Sequence, residues 1–117
     1  MRVFDTGASR DDDDEKVDFE GFLSPRVLDM FAAYMHKHRK LPDGSLRESD
    51  NWQKGIPSDV AMKSLFRHFM DVWRWQDGLA TQEEVTEALC GLMFNTQVLM
   101  YNYDKEQFPN GEPPTPA

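Results

Sequence analysis

Three capped stretches with apolar residues at three- and four-residue steps, spanning 25–39, 58–76 and 82–103, constrain this chain to an all-α fold. Ser24 reads as an N-cap, with Pro25 at the first helical position, where its missing N–H costs nothing. Val27, Phe31, Tyr34 and Met35 then make one stripe, and Lys37, Arg39 and Lys40 near the helix end complement its macrodipole and face water. Ser58 reads as the cap of the second helix, which Asp77-Gly78 stops. Its broad apolar face holds Met62, Leu65, Phe66, Phe69, Val72 and Trp73. Thr81-Gln82-Glu83-Glu84 has the form of a capping box, and Val85, Leu89, Leu92, Met93, Leu99, Met100 and Tyr103 make the stripe of the third helix. No segment alternates as a strand would, and no repeat is present. The expectation is a small bundle of three main helices with a long ordered loop between the first and second.

At 117 residues there is room for one domain with one core. Hydrophobic residues make up 39% and charged residues 29%, as in a soluble globular protein. No apolar run approaches the roughly 20 residues of a membrane span. Met1 is followed by Arg2-Val3-Phe4-Asp5 without an apolar signal region, so the expected location is cytoplasmic, with no membrane partner. The single Cys90 has no internal disulfide partner and reads as a small core residue. A net charge of −8 argues against general nucleic-acid binding, which depends on Lys and Arg neutralising phosphates. It leaves open a small triphosphate whose charge is met by a divalent cation. The chain divides into an acidic arm over 1–23 containing Asp11-Asp12-Asp13-Asp14-Glu15, a helical domain over 24–105, and a Pro-rich tail over 106–117.

The segment 41–57 has no periodicity, yet it carries Trp52 and Ile56, residues that favour order. A connection of about 17 residues that is ordered suggests a site. Within it, Asn51-Trp52-Gln53-Lys54-Gly55-Ile56-Pro57 combines a flat aromatic, a cation ahead of a helix N-terminus and a flexible glycine. On the second helix Ser64, His68, Asp71 and Trp75 form another stripe; on the third, Glu84, Glu87, Gly91 and Asn95 form a line. Set face to face, they would project His68, Asp71, Glu84 and Glu87 into one seam, where oxygen ligands would suit Mg²⁺ and a carboxylate would suit a general base. Each residue also has a structural reading. Glu84 is the capping-box partner of Thr81, and His68 is a core-edge imidazole bonded to Asp71, which would then only orient it. Asn95 would bond a neighbouring helix, Trp52 would plug the helix ends, and Gly55 would serve a left-handed turn.

Asn51 to Pro57, Arg67-His68-Phe69-Met70-Asp71, and Glu87-Ala88-Leu89-Cys90 through Phe94-Asn95 resemble a phage and bacterial family, the dATP/dGTP diphosphohydrolase N-terminal domains, a MazG-like group. Arg2-Val3-Phe4-Asp5-Thr6-Gly7-Ala8 and Tyr34-Met35-His36-Lys37-His38-Arg39 resemble its phage branch. The resemblance implies a MazG-like helical enzyme, cytoplasmic and working as a homodimer or higher homo-oligomer. With Mg²⁺ it would direct water at the α-phosphorus of dATP or dGTP, releasing monophosphate and pyrophosphate. It further implies metal ligation by Asp71, Glu84 and Glu87, catalytic roles for Glu87 and His68, and substrate contacts from Trp52, Lys54, Arg67 and Asn95. His68-x-x-Asp71 stands where the MazG pattern has its first Glu-x-x-Glu, which thins the oxygen cage. The rival expectation is a non-catalytic phage interaction protein that binds a host factor or a nucleotide.

Overall fold

A left-handed glycine, Gly78 at φ +74°, turns the chain between its two longest helices, and the other helix and the loop are laid over the hairpin that results. The computed structural model describes residues 2–10 and 16–111; the acidic run 11–15 and the tail residues 112–117 lie outside the described residues. In chain order the elements are β1 (Arg2–Val3), β2 (Ser9–Arg10), α1 (Phe19–Phe22), α2 (Pro25–Lys37), a 3-10 turn at Asn51–Lys54, α3 (Ser58–Gln76) and α4 (Gln82–Gln107). The three main helices and the ordered connection are as the periodicity predicts. The two-residue strands, which pair antiparallel with Arg2 opposite Arg10, are too short to leave an alternating pattern in the sequence. Helix α1 is a single turn in the segment read as an arm, begun by Asp18, whose Oδ1 accepts from the Gly21 N–H at 2.8 Å. Among the described residues no helix is long and apolar enough to cross a membrane.

Local chemistry accounts for most of the helix ends. Ser24 Oγ accepts from the Val27 N–H at 3.3 Å, as expected of an N-cap. Thr81 Oγ1 accepts from the Glu84 N–H at 3.1 Å, while Glu84 Oε1 accepts from the Thr81 N–H at 3.0 Å, closing the capping box. After α3, the Gly78 N–H donates to the Trp75 carbonyl at 3.0 Å and the Leu79 N–H to the Arg74 carbonyl at 2.7 Å, the bond pair of a Schellman stop. Three boundaries differ from expectation. Pro57, not Ser58, is the cap of α3; Ser58 lies inside the helix and its Oγ accepts from Asn102 Nδ2 at 3.0 Å. Helix α2 stops at Lys37 because Arg39 turns away to pair with Arg47. Helix α4 runs past Tyr103 to Gln107.

The larger difference is in which faces meet. The apolar faces of the second and third helices predict the core, yet the hairpin closes where the stripes adjoin: Val85 is buried and Leu65, Val72, Leu92 and Leu99 are half-buried, beside Ser64, His68, Gly91 and Asn95 of the polar stripes. Ser64 Oγ accepts from Asn95 Nδ2 at 3.3 Å, and the His68 ring lies against Gly91. Ala61, Val85, Ala88, Gly91, Asn95 and Val98 are buried along this seam. Phe66, Trp73 and Met100 stay outside, 61%, 56% and 67% exposed. Small side chains let the two helix axes approach closely, and Asn95 settles its amide by donating to the Gly91 carbonyl at 2.8 Å, so polar groups enter the seam without an unmet hydrogen bond. Helix α2 lies along another side of α4, where Cys90 is buried with its Sγ 3.8 Å from the Met30 carbonyl. Lys37 does not simply face water; it forms an ion pair with Glu87 of α4.

The loop is fastened to α4 at several points. Asn102 Nδ2 donates to the Ile56 carbonyl at 2.8 Å as well as to Ser58, and Lys105 lies 4.7 Å above the Tyr101 ring with its Nζ 3.5 Å from the Gln53 carbonyl. Trp52 packs edge-on against Tyr101 and Phe94, with ring centroids 5.0 and 6.1 Å away. Upstream, Lys40 bridges Leu46 in a small hairpin whose tip is set by the Ser45 N–H donating to Asp43 Oδ1 at 2.9 Å. Replacing Asn102 with Ala leaves the Ile56 carbonyl without this donor, and a loss of about 1–3 kcal/mol in urea unfolding is expected. An unchanged midpoint would show that the loop is held by its aromatic contacts and Lys105 without help from Asn102.

Candidate functional site

Between α2, the loop and the α3–α4 seam lies a cleft of about 690 Å³. Its wall includes Tyr34, His36, His38 and Arg39 from the end of α2 and the turn after it, and Arg47, Glu48, Trp52 and Lys54 from the loop. Ser64, His68, Phe94 and Asn95 of the hairpin also line it. All three histidines of the chain line this one cleft, together with Arg39, Arg47 and Lys54 against the single carboxylate of Glu48. In a chain of net charge −8, so basic a lining is a segregation of charge. Arg39 Nε donates to the Arg47 carbonyl at 2.8 Å, so backbone pairing brings these two cations, eight residues apart, to one wall.

The residues expected to form a site fall into two groups. Trp52, Lys54, His68 and Asn95 line the cleft. Arg67 is exposed on α3 outside it, and Glu84 is exposed in its capping box, its carboxylate spent on Thr81. Asp71 accepts from Arg74 at 2.8 Å rather than from His68, and Glu87 pairs with Lys37 and stands 3.7 Å from His38. Among the described residues, no group of three His, Cys, Asp or Glu side chains is gathered as a metal site. The donor set as it stands therefore does not fit a Mg²⁺ cage, because each of the three carboxylates is committed to a cation or a cap. Asp71 and Glu87 nevertheless both act on His68 electrostatically, so the seam does draw the two stripes towards one imidazole.

Burial in that seam pushes the His68 pKa down, and the positive charge of Arg67 adds to the effect; Asp71 and Glu87 pull the other way. Burial and the Glu87 charge likewise raise the Tyr34 hydroxyl, while a hydrogen bond to Glu87 raises the Lys37 ammonium. Glu87 thus joins the end of α2 to α4. The seat of His68 is Gly91: a β-carbon there would stand 2.6 Å from both Cδ2 and Cε1 of the ring.

His36, His38, Arg39 and Arg47 are the cleft residues that periodicity does not single out. In the sequence they read as helix-end and loop cations. The only signal for them was that the cations crowd into the segment 36–54 of an otherwise acidic chain.

No family profile, curated protein or solved structure matches this chain.

Two outcomes test the seat of His68. In an open helix, Gly→Ala is worth about 0.5–1 kcal/mol of stabilisation. Here the ring occupies the space, and overpacking of about 1–3 kcal/mol outweighs the gain, so Gly91→Ala should destabilise. In a His68→Ala background the same change should stabilise, and equal effects in both backgrounds would show that the two residues do not couple. The second outcome concerns pH. A free imidazole titrates near 6.5, and the folded chain holds His68 below that value, so under pH 6.5 the unfolded state takes up more protons. Stability from this group is complete above pH 6.5 and falls as pH drops through the folded value. Melting temperatures across pH 4.5–8 should decline less steeply on the acid side for His68→Gln than for the wild type.

Proposed function

We propose that the cleft binds the polyphosphate of a purine deoxynucleoside triphosphate. The supporting observation is the lining itself, in which Arg39, Arg47, Lys54 and three imidazoles face one carboxylate in an acidic protein. A positive hollow in a negative surface draws anions to itself, while the surrounding negative surface repels them. Arg47 and Lys54 enter from the loop and would take phosphate oxygens, with Arg offering a two-pronged contact and Lys a point charge. Trp52 and Tyr34 give the same hollow aromatic surface against which a base would pack. Asn95 spends its amide N–H groups on Gly91 and Ser64, so its part is to shape the floor.

The reaction we assign to this site is that of the family it resembles, conversion of dATP or dGTP to the monophosphate and pyrophosphate. The protein would work as a homodimer or higher homo-oligomer. The resemblance attaches Mg²⁺ to such chemistry, and since the described carboxylates are engaged, the ion would have to arrive with the triphosphate. His68, held mainly neutral, is the group at the seam that would accept a proton from water. The engagement of Asp71, Glu84 and Glu87 favours a second reading, a protein that binds the nucleotide without turning it over.

Calorimetric titration with dATP and dGTP, with and without Mg²⁺, tests binding, and chromatography of the products tests turnover. Arg47→Glu and Lys54→Glu should each weaken triphosphate binding tenfold or more, the equivalent of about 1.4 kcal/mol, without lowering the melting temperature. Binding without pyrophosphate release would select the non-catalytic reading. A wild-type protein that binds none of the deoxynucleotides would end both.

A further inference from the structure

The end of α2 is lightly held for a segment that forms a wall of the cleft. Helix α2 has no buried residue, and Phe31, Tyr34 and Met35 are only half-buried. Among the described residues its polar contacts with α4 are Cys90 Sγ, 3.8 Å from the Met30 carbonyl, and the ion pair of Lys37 with Glu87. A thiol is a weak donor, so the ion pair is the stronger tie. Lys37 is the last residue of α2 and meets Oε1 of the carboxylate, while the next residue, His38, stands 3.7 Å from Oε2. Both oxygens of Glu87 are thus turned to the point where α2 gives way to the loop.

From that point a chain of contacts leads to the cations of the cleft. The His38 ring lies against Tyr34, with centroids 4.5 Å apart. Arg39 and Arg47 then exchange two bonds: the Arg47 N–H donates to the Arg39 carbonyl at 2.9 Å, and Arg39 Nε donates to the Arg47 carbonyl at 2.8 Å. Arg39 keeps its terminal N–H groups and Arg47 its whole guanidinium, since among the described residues neither pairs with a carboxylate. The place of Arg47 on the loop therefore depends on Arg39, and that of Arg39 on the end of α2.

We propose that Glu87 is a positioning residue, which fixes the end of α2 through Lys37 and His38 and so sets the Arg39–Arg47 pair on the cleft wall, rather than a ligand of Mg²⁺. The proposal rests on the reading of the cleft as an anion site, and it replaces the metal role that the resemblance implies for Glu87. Glu87 does not itself line the cleft, so its influence on a bound anion passes through the residues it holds. To ligate a cation it would have to release Lys37, because both carry positive charge to the same carboxylate. The side chains of Lys37 and Glu87 are 55% and 36% exposed, and an ion pair so open to water adds little to global stability. What it decides is where a lightly held helix end comes to rest.

The sign of one effect separates the possible roles. By charge alone, a carboxylate beside a basic hollow opposes an anion, so removing it would tighten binding. A metal ligand would matter only when Mg²⁺ is present. A positioning residue, when removed, weakens anion binding without any metal and in spite of the lost negative charge.

Calorimetric titration of the full chain with inorganic tripolyphosphate in EDTA at pH 8 reads that sign, and amide hydrogen exchange of the free protein reads the wall itself. Glu87→Ala should weaken tripolyphosphate binding about three- to fivefold with little change in melting temperature. In the free protein it should speed exchange of the Arg47 amide about threefold or more, while the Asn95 and Val98 amides of the seam keep their rates. The reversed pair, Lys37→Glu with Glu87→Lys, should return both readouts to within about twofold of the wild type, which a lysine in place of a metal ligand could not do. Unchanged or tighter binding in Glu87→Ala, a loss seen only when Mg²⁺ is added, or a reversed pair that recovers neither readout would each overturn the proposal. A wild type that binds no tripolyphosphate would end the reading of the cleft, and the exchange rates alone would then uphold or overturn the hold of Glu87 on the wall.

Discussion

The contact on which the rest of the molecule depends is the seating of the His68 imidazole against Gly91, in the seam where α3 and α4 meet. It fixes the rotation of both helices about their axes. With His68 turned inward, Ser64 comes to Asn95 and Ala61 is buried, and Met62, Phe66, Phe69 and Trp73 are carried outward. On α4, the same rotation directs Cys90, Phe94 and Tyr101 towards α2 and the loop, where Phe94 and Tyr101 receive the edge of Trp52. One glycine thus governs what becomes interior, what becomes cleft wall and what stays exposed.

A seam of alanine, glycine, valine, asparagine and histidine buries little apolar area for its length, and Val98 is the largest side chain fully enclosed. At about 25 cal/mol per Å², such a seam contributes less than a leucine-rich one would, so hydrogen bonds and close helix approach carry more of the specificity. Met62, Phe66, Phe69 and Trp73 of α3 and Leu89, Met93 and Met100 of α4 are among the large apolar side chains left exposed. The opposite side is free to be polar and to hold a basic hollow open to solvent.

Much of the fold could be read from spacing and caps. The Ser24 cap, the Thr81 capping box and the Asp77-Gly78 stop are local bonds made by side chains within a few residues of one another, and these are present where their residues predict. The Ser58 cap misled because the hydroxyl is claimed by Asn102, more than forty residues away. The site was legible in a similar proportion. Trp52, Lys54, His68 and Asn95 come together, whereas Asp71, Glu84 and Glu87 are taken up by Arg74, Thr81 and Lys37. A carboxylate is open to several partners, and spacing along a helix does not say which cation will reach it first.

The amino-acid sequence by itself determined the helices, their stops, the order of the loop and the excess of negative charge, since each depends on neighbours in the chain or on simple counting. Only the tertiary structure decided which stripe of each helix turned inward. Both helices offered a large apolar face and a smaller polar one, and hydrophobicity alone favours the first. The seam took the edge where the two adjoin because small residues and a matched set of hydrogen bonds let two backbones lie close, a fit between distant positions that no local pattern encodes. The gathering of His36, His38 and His68 with Arg39, Arg47 and Lys54 into one cleft follows from that choice, because charge along a chain has a sign and a spacing but acquires a direction only when the helices pack.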